Sequence, residues 1–327
     1  METKRPTNPV AEEILGGYFP VLDHGFVALV DYMGTDEDIE RAARVSYGYG
    51  TRKVSQTRGL IRYLRRHYHT TPSEMVELKF HCAMPMFIAR QWIRHRTASV
   101  NEYSGRYSLM PLLFYKPDPE NFGFQSADNH QGRKSEQVPG EIYEKAAEYW
   151  DRVRSEASEG YRWMVAEEVA RELARIDLPL STYTQWYWKI DLHNLFHFLT
   201  LRIDPHAQWE IQEFAKVMAG ILKRVAPLSY EAWLDYNVGA QPMSRAEMDA
   251  LRYFLEGDQD GVRIKPNNTG LTSSELKDMG LSGREVRELI DKLEPQEITD
   301  YDLDLSTMRK AEDVALEMEE AVPGSFE

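Results

Sequence analysis

Residues 77–94 read ELKFHCAMPMFIARQWIR, and their hydrophobic period changes once, at Pro85. Before it, Leu78, Phe80, Cys82 and Met84 alternate with Glu77, Lys79 and His81, the period-two pattern of a strand with one face in the core. Cys82 falls on the apolar face and is expected to be core. Pro85 suits the first position of a helix, where its missing N–H leaves no partner wanting, and Met86, Phe87, Ala89 and Ile93 carry that helix toward Arg94. A run dense in functional groups follows where helix gives way to loop: residues 90–107 contain Arg90, Arg94, Arg96, Arg106, His95, Asn101 and Glu102. The arginine fork fits phosphate and carboxylate in pairs, so these residues point to a pocket for a phosphorylated, hydrogen-bonding ligand. A salt-bridged, solvated helix end is the alternative.

The rest of the chain is mostly helical in pattern. Residues 57–69 read as a helix that stops before Thr70-Thr71-Pro72, because the residue before a proline is pushed out of helical geometry. Residues 117–140 are rich in Pro, Gly, Asn and Gln and read as a long loop, and helical spacing then covers 142–157 and, separately, 164–175. Tyr183 to Ile190 is aromatic and strand-like, with Asp191 placed to cap a helix over 192–201. Asp204-Pro205 is expected to open another helix, which ends at Lys223, Arg224 and Pro227. Residues 1–20 read as an arm, 21–243 as one catalytic domain and 244–327 as an acidic, mainly helical appendage with a partly flexible end.

Charge narrows the function classes. The net charge of −14 opposes broad binding to nucleic acid, which depends on Lys and Arg neutralising phosphates. Most of the excess lies in 244–327, with 21 acidic against 10 basic side chains, so the arginine run sits in a nearly neutral body. No apolar run is long enough to span a membrane and the first residues lack a secretory pattern, which places the chain in the cytoplasm. A single cysteine excludes an intramolecular disulfide framework and a multi-thiol metal centre. No glycine-rich dinucleotide fingerprint occurs.

His193 and His197 have the four-residue spacing of a two-histidine metal site, but Asn194 stands where the metalloprotease pattern needs glutamate. They are read as partly buried histidines bonded to structure or to a ligand other than metal, and no metal is expected. Arg202 and Arg175 each end a helical pattern and could simply answer the helix dipole. His67 and His69 with Thr70, Thr71 and Pro72 could be an ordinary helix terminator.

Together these segments resemble the flavin-dependent thymidylate synthases. RHRTASVNEYSGRY (94–107) is similar to that family's arginine-histidine-arginine signature with its spaced serine. HGFVALVDYMGTDEDIERAARVSY (24–47), HTTPSEMVELKFH (69–81), ARIDLPLSTYT (174–184) and LRIDPHAQWEIQ (201–212) follow the family in the same order. The resemblance covers roughly 20–243.

The resemblance implies conversion of dUMP to dTMP, with 5,10-methylenetetrahydrofolate as carbon source, FAD as redox carrier and NADPH as reductant. It implies dUMP contacts from Gln91, Trp92, Ile93, Arg94, Glu102, Tyr103, Ser104, Gly105, Arg106, Arg175 and Arg202. It implies FAD contacts from Thr71, Arg94, His95, Arg96, Glu102, Asp191, Leu192, His193 and His197, with His69 near the flavin where folate or nicotinamide is accommodated. Asp191 and His193 depart from the family's Asn-x-Arg at that patch. Arg202 is the expected catalytic residue, stabilising charge on the pyrimidine, and Ser104 is expected to position substrate and not to attack it. The expected fold is α+β, a mostly helical chain around a small antiparallel sheet, assembled as a homotetramer with sites between subunits.

Overall fold

A computed structural model describes residues 7–45, 57–126, 132–258, 261–265, 270–295 and 297–323. The alternating segment is strand β3 (Glu77–Pro85), whose Leu78, Phe80, Cys82 and Met84 are all buried. It lies at the centre of a five-stranded antiparallel sheet in the order β1-β2-β3-β7-β4. The other strands are β1 (Tyr18–Val21), β2 (Gly25–Met33), β4 (Ser99–Glu102) and β7 (Tyr183–Asp191). Helix makes up 51% of the structure, as the expected α+β class requires.

Two compact units divide the chain, Met1–Trp233 with Asp300–Glu327, and Leu234–Thr299. In the first, short helix α1 (Pro9–Glu12) precedes β1, and α2 (Asp36–Val45) follows β2. Helices α3 (Thr57–Arg66) and α4 (Thr71–Glu74) lead into β3, and α5 (Met86–Trp92) leaves it. Hairpin strands β5 (Gly123–Gln125) and β6 (Arg133–Gln137) precede the long helix α6 (Gly140–Ala166) and short α7 (Arg171–Ala174). After β7 come α8 (Leu192–Ile203), α9 (Trp209–Val225) and α10 (Pro227–Trp233). The sheet and α9 share a core in which Phe80, Trp92, Trp186, Trp188, Phe198 and Phe214 are buried, with Trp92 in edge or stacked contact with four of those rings.

The second unit holds α11 (Arg245–Phe254), hairpin strands β8 (Leu255–Asp258) and β9 (Gly261–Ile264), α12 (Ser273–Asp278) and α13 (Gly283–Leu293). Its core is Ala250, Leu276, Leu281, Val286 and Leu289. All three helices start in capping boxes, Ser244 with Glu247, Thr272 with Glu275 and Ser282 with Glu285, so local chemistry sets their first turns. Helix α14 (Ala311–Glu320) returns to the first unit.

Several sequence expectations change. The supposed arm contributes β1 and buries Ala11 and Ile14; its first six residues lie outside the described ones. Residues 142–157 and 164–166 belong to one helix, α6, with Tyr161 buried on its inner face, and the pattern expected over 164–175 breaks at Glu168, whose φ is +59°, before resuming in α7. The 117–140 loop contains the β5–β6 hairpin, with 127–131 outside the described residues. Residues 46–47 of the 24–47 segment also lie outside them. Pro85 ends β3 and caps α5 instead of opening it. Asp204 ends α8, and its carboxylate accepts from the His206 N–H in a turn, so α9 begins only at Trp209. The appendage expected over 244–327 differs from the structural division, since the described residues from 300 to 323 belong to the first unit.

Candidate active site

The site residues lie at the ends of elements anchored in the aromatic core. Trp92 is fully buried at the last turn of α5, so the flanking Gln91 and Ile93 are held half-buried and Arg94 is exposed at a fixed height. Trp92 itself, like Leu192, has its side chain in the core, which leaves only its backbone to meet a ligand. Strand β4 then pairs with β7, setting Glu102 opposite Trp186, and the Tyr103 N–H continues the ladder to the Gln185 carbonyl at 2.8 Å. Glu102 is held by the Thr184 hydroxyl, which donates to it at 2.8 Å.

Residues 104–107 form a turn in which the Ser104 carbonyl accepts from the Tyr107 and Ser108 N–H groups, both at 3.0 Å. Gly105 is buried against Arg175, where a Cβ would lie 3.0 Å from Arg175 Cδ and 2.5 Å from Met110 Sδ. Only glycine lets the turn and the arginine approach this closely. Arg175 caps the C-terminus of α7, as its helix-ending pattern predicted, though the helix is a single turn. Arg106 pairs with exposed Glu172 of α7 at 3.1 Å. Tyr161 of α6 accepts the Met110 N–H at 2.8 Å in a buried bond. Arg171 donates to the Tyr107 carbonyl. Sequence reading missed Thr184, Tyr161, Arg171 and Glu172, which lie far along the chain from the turn they hold and carry no motif.

A second group forms around α8. Asp191 caps this helix, accepting from the Asn194 N–H at 3.0 Å and from its Nδ2 at 2.7 Å. That commits the carboxylate to the helix start. Arg202, in the last turn of α8, donates from Nη2 to the Gln91 carbonyl at 3.4 Å, while its Nε is buried with no partner. His193 Nδ1 and Gln91 Oε1 are also buried and unpartnered. His95 is 9% exposed, lies 5.5 Å ring to ring from His197, and shares a hydrogen bond with the Thr97 hydroxyl at 3.1 Å. Burial, then the neighbouring His197 and Arg202, push its pKa down to about 4, so it is neutral near pH 7. Helix α4 packs against α8, which brings Thr71 to this side, and exposed His69 sits with Tyr63 and His67 in a ring cluster.

The chain offers Arg90, Arg94 and Arg96 on the surface, and half-buried Arg175, with no acceptor for their guanidinium groups among the described residues. Of the run's arginines, Arg106 alone is ion-paired among the described residues, to Glu172. Free forks, an orphaned Arg202 Nε and an orphaned imidazole nitrogen make a donor set suited to phosphate groups and to a heterocycle with carbonyl and ring-nitrogen edges.

Comparison with known proteins agrees with this chemistry. Residues 28–228 match the family described as thymidylate synthase complementing protein, Thy1. The flavin-dependent thymidylate synthase of Rickettsia bellii is 46% identical over 85% of this chain and 97% of its own length. That of Ruegeria pomeroyi is 48% identical over 84% of this chain and 91% of its own. The crystal structure of the UMP/dUMP methylase PolB from Streptomyces cacaoi, bound with 5-Br dUMP, superposes with a TM-score of 0.60 at 31% identity, covering 66% of this chain and 97% of that one.

Proposed function

The chain belongs to the Thy1 family of flavin-dependent thymidylate synthases, and on that premise we propose which of its side chains hold the nucleotide, which hold the flavin and which meets the developing charge. It is a thymidylate synthase that methylates dUMP to dTMP and depends on a flavin. The flavin is FAD, the carbon source 5,10-methylenetetrahydrofolate and the reductant NADPH. The working form is a cytoplasmic homotetramer whose sites lie between subunits. No helix among the described residues is long and apolar enough to cross a membrane.

The nucleotide phosphate is taken by Arg94, Arg106 and Arg175 with the Ser104 hydroxyl and the 102–106 turn. Gln91 and Arg202 face the pyrimidine. The guanidinium groups of Arg94 and Arg175, which have no acceptor among the described residues, are the observation that carries this reading, since a cation left without an acceptor in its own chain is ready for an external one; Arg106 is shared with exposed Glu172. Arg96, Glu102, neutral His95, His193 and His197 line the flavin side, with Thr71 and His69 at its edge. The Arg96 guanidinium, without an acceptor among the described residues, and the unpartnered His193 Nδ1 fit the diphosphate and ring edge of such a group, and Asp191 acts there through the helix it caps. When bound, the flavin supplies the reducing equivalents for the transfer.

Carbon 5 of uracil is a weak nucleophile until the ring is polarised. Cys82 cannot add to carbon 6, because it is fully buried and burial raises its thiol pKa well above normal. Ser104 has no base beside it among the described residues; its Oγ accepts from the Arg106 N–H at 3.4 Å. We assign to Arg202, as the family resemblance implies, the stabilisation of charge on the pyrimidine carbonyl and ring nitrogen. Its unpartnered Nε is an unused donor at the edge of the site.

The test is the visible spectrum of the purified protein together with its NADPH oxidation with and without dUMP. A flavin spectrum and oxidation that responds to dUMP support the assignment. A colourless protein with no response to dUMP overturns it.

A further inference from the structure

We propose that the C-terminal strap, residues 300–321, is a positioning element of the nucleotide site, acting through the Ala321 carbonyl on Leu112. This rests on the assignment of the 102–106 turn to dUMP.

The strap has built seats along the first unit. Asp300 and Asp302 accept from Lys223 Nζ at 2.8 and 2.7 Å, and the Tyr301 N–H donates to the Tyr230 hydroxyl at 2.7 Å. Leu303 crosses α9 at Gly220, where a Cβ would lie 2.9 Å from its Cγ and 3.3 Å from its backbone nitrogen. Glycine is disfavoured inside a helix relative to alanine, and the crossing strap supplies the reason for it here. Arg309 then forms an antiparallel bridge with Tyr18, with reciprocal bonds of 2.8 and 3.0 Å, extending the edge of the sheet. Val314 of α14 is buried on Phe26 and Ala83, and Glu317 joins His24 at 3.4 Å and Arg309 at 2.8 Å.

The last seat connects to the site. Ala321 accepts the Leu112 N–H at 3.0 Å. Leu112 lies on the segment that leaves the dUMP turn, and that segment is fastened residue by residue. The Leu109 carbonyl accepts from Tyr103, the Met110 N–H donates to Tyr161, the Leu113 carbonyl accepts from the Tyr183 N–H, and the Tyr115 N–H donates to the Ser181 carbonyl. These four ties come from the turn itself, α6, the sheet and the approach to β7. The tie at Leu112 comes from the strap, so a loosened strap frees the middle of the segment between Met110 and Leu113.

The experiment is hydrogen exchange on the full-length holoenzyme, paired with steady-state kinetics, for Val314→Ala and for the surface variant Glu317→Gln. Neither residue touches the proposed ligand positions. The expected result is exchange at Leu112 faster by roughly tenfold, a smaller rise at Tyr107 and Ser108, whose amides bond Ser104, and a KM for dUMP raised about threefold with kcat nearly unchanged. Faster exchange at Leu112 with Tyr107, Ser108 and KM unmoved overturns the proposal and leaves the strap a structural belt. If Val314→Ala fails to fold, Glu317→Gln decides alone. Should the unaltered protein lack dUMP turnover, the functional assignment fails, while exchange at Tyr107 and Ser108 still tests whether strap and turn are coupled.

Discussion

Arg202 Nη2 lies 3.4 Å from the backbone carbonyl of Gln91, and the Nε of the same guanidinium is buried without a partner. The arginine is thus tethered weakly on one side and free on the other. Burial lowers its pKa from the usual 12.5, yet it stays charged at neutral pH. On the role proposed for it, Arg202→Ala removes the donor that meets developing charge, and kcat is expected to fall by about a hundred- to a thousandfold while the flavin stays bound. Single-turnover kinetics with dUMP present, alongside flavin absorbance, check this; an unchanged rate of the chemical step would remove Arg202 from catalysis.

His95 gives a pH prediction. Its folded pKa of about 4 lies below the ordinary 6.5, so between these values the unfolded chain binds more protons than the folded one. Stability contributed this way is intact above pH 6.5 and declines as pH falls toward 4. His95→Gln should flatten that part of the acid limb. Denaturant midpoints from about pH 4 to 7 measure it, and parallel curves for both proteins would count against a neutral, buried His95.

Tyr161→Phe deletes the hydroxyl that accepts the buried Met110 N–H. An unsatisfied buried donor costs about 1–3 kcal/mol, so urea unfolding should move by that order. Because Met110 follows the turn proposed to hold dUMP, KM for dUMP should rise more than kcat falls.

Gly105→Ala places a methyl group 3.0 Å from Arg175 Cδ and 2.5 Å from Met110 Sδ, and both side chains must yield. The fold survives, since both neighbours are flexible, but Arg175 leaves its place. Calorimetric titration should show dUMP affinity reduced about tenfold or more. Affinity equal to that of the unaltered protein would mean Arg175 does not hold the nucleotide.

Elements with one strong local signal are legible in the sequence. The alternation of Glu77 to Met84 marks β3 and the burial of Cys82, and Asp191 reads correctly as the cap of α8. The arginine run stands out because so many forks close together have no packing role. What escapes depends on contacts between distant segments. The β5–β6 hairpin has loop-like composition, and β1 lies among prolines, so pairing and not propensity makes them strands. The strap is anchored by Leu303, Met308 and Val314 on three different surfaces, which leaves no period in an acidic sequence. Tyr161 and Thr184 support the turn from far along the chain, and nothing in their neighbours marks it.

The central claim is thymidylate synthesis from an arginine-built site with no cysteine nucleophile, and dTMP formation by Cys82→Ala protein tests it most directly. With dUMP, methylenetetrahydrofolate, NADPH and FAD supplied, the variant is expected to make dTMP at a rate within about threefold of the unaltered chain, a margin that allows for a small core cavity. A folded, flavin-loaded Cys82→Ala protein that makes no dTMP would contradict the account.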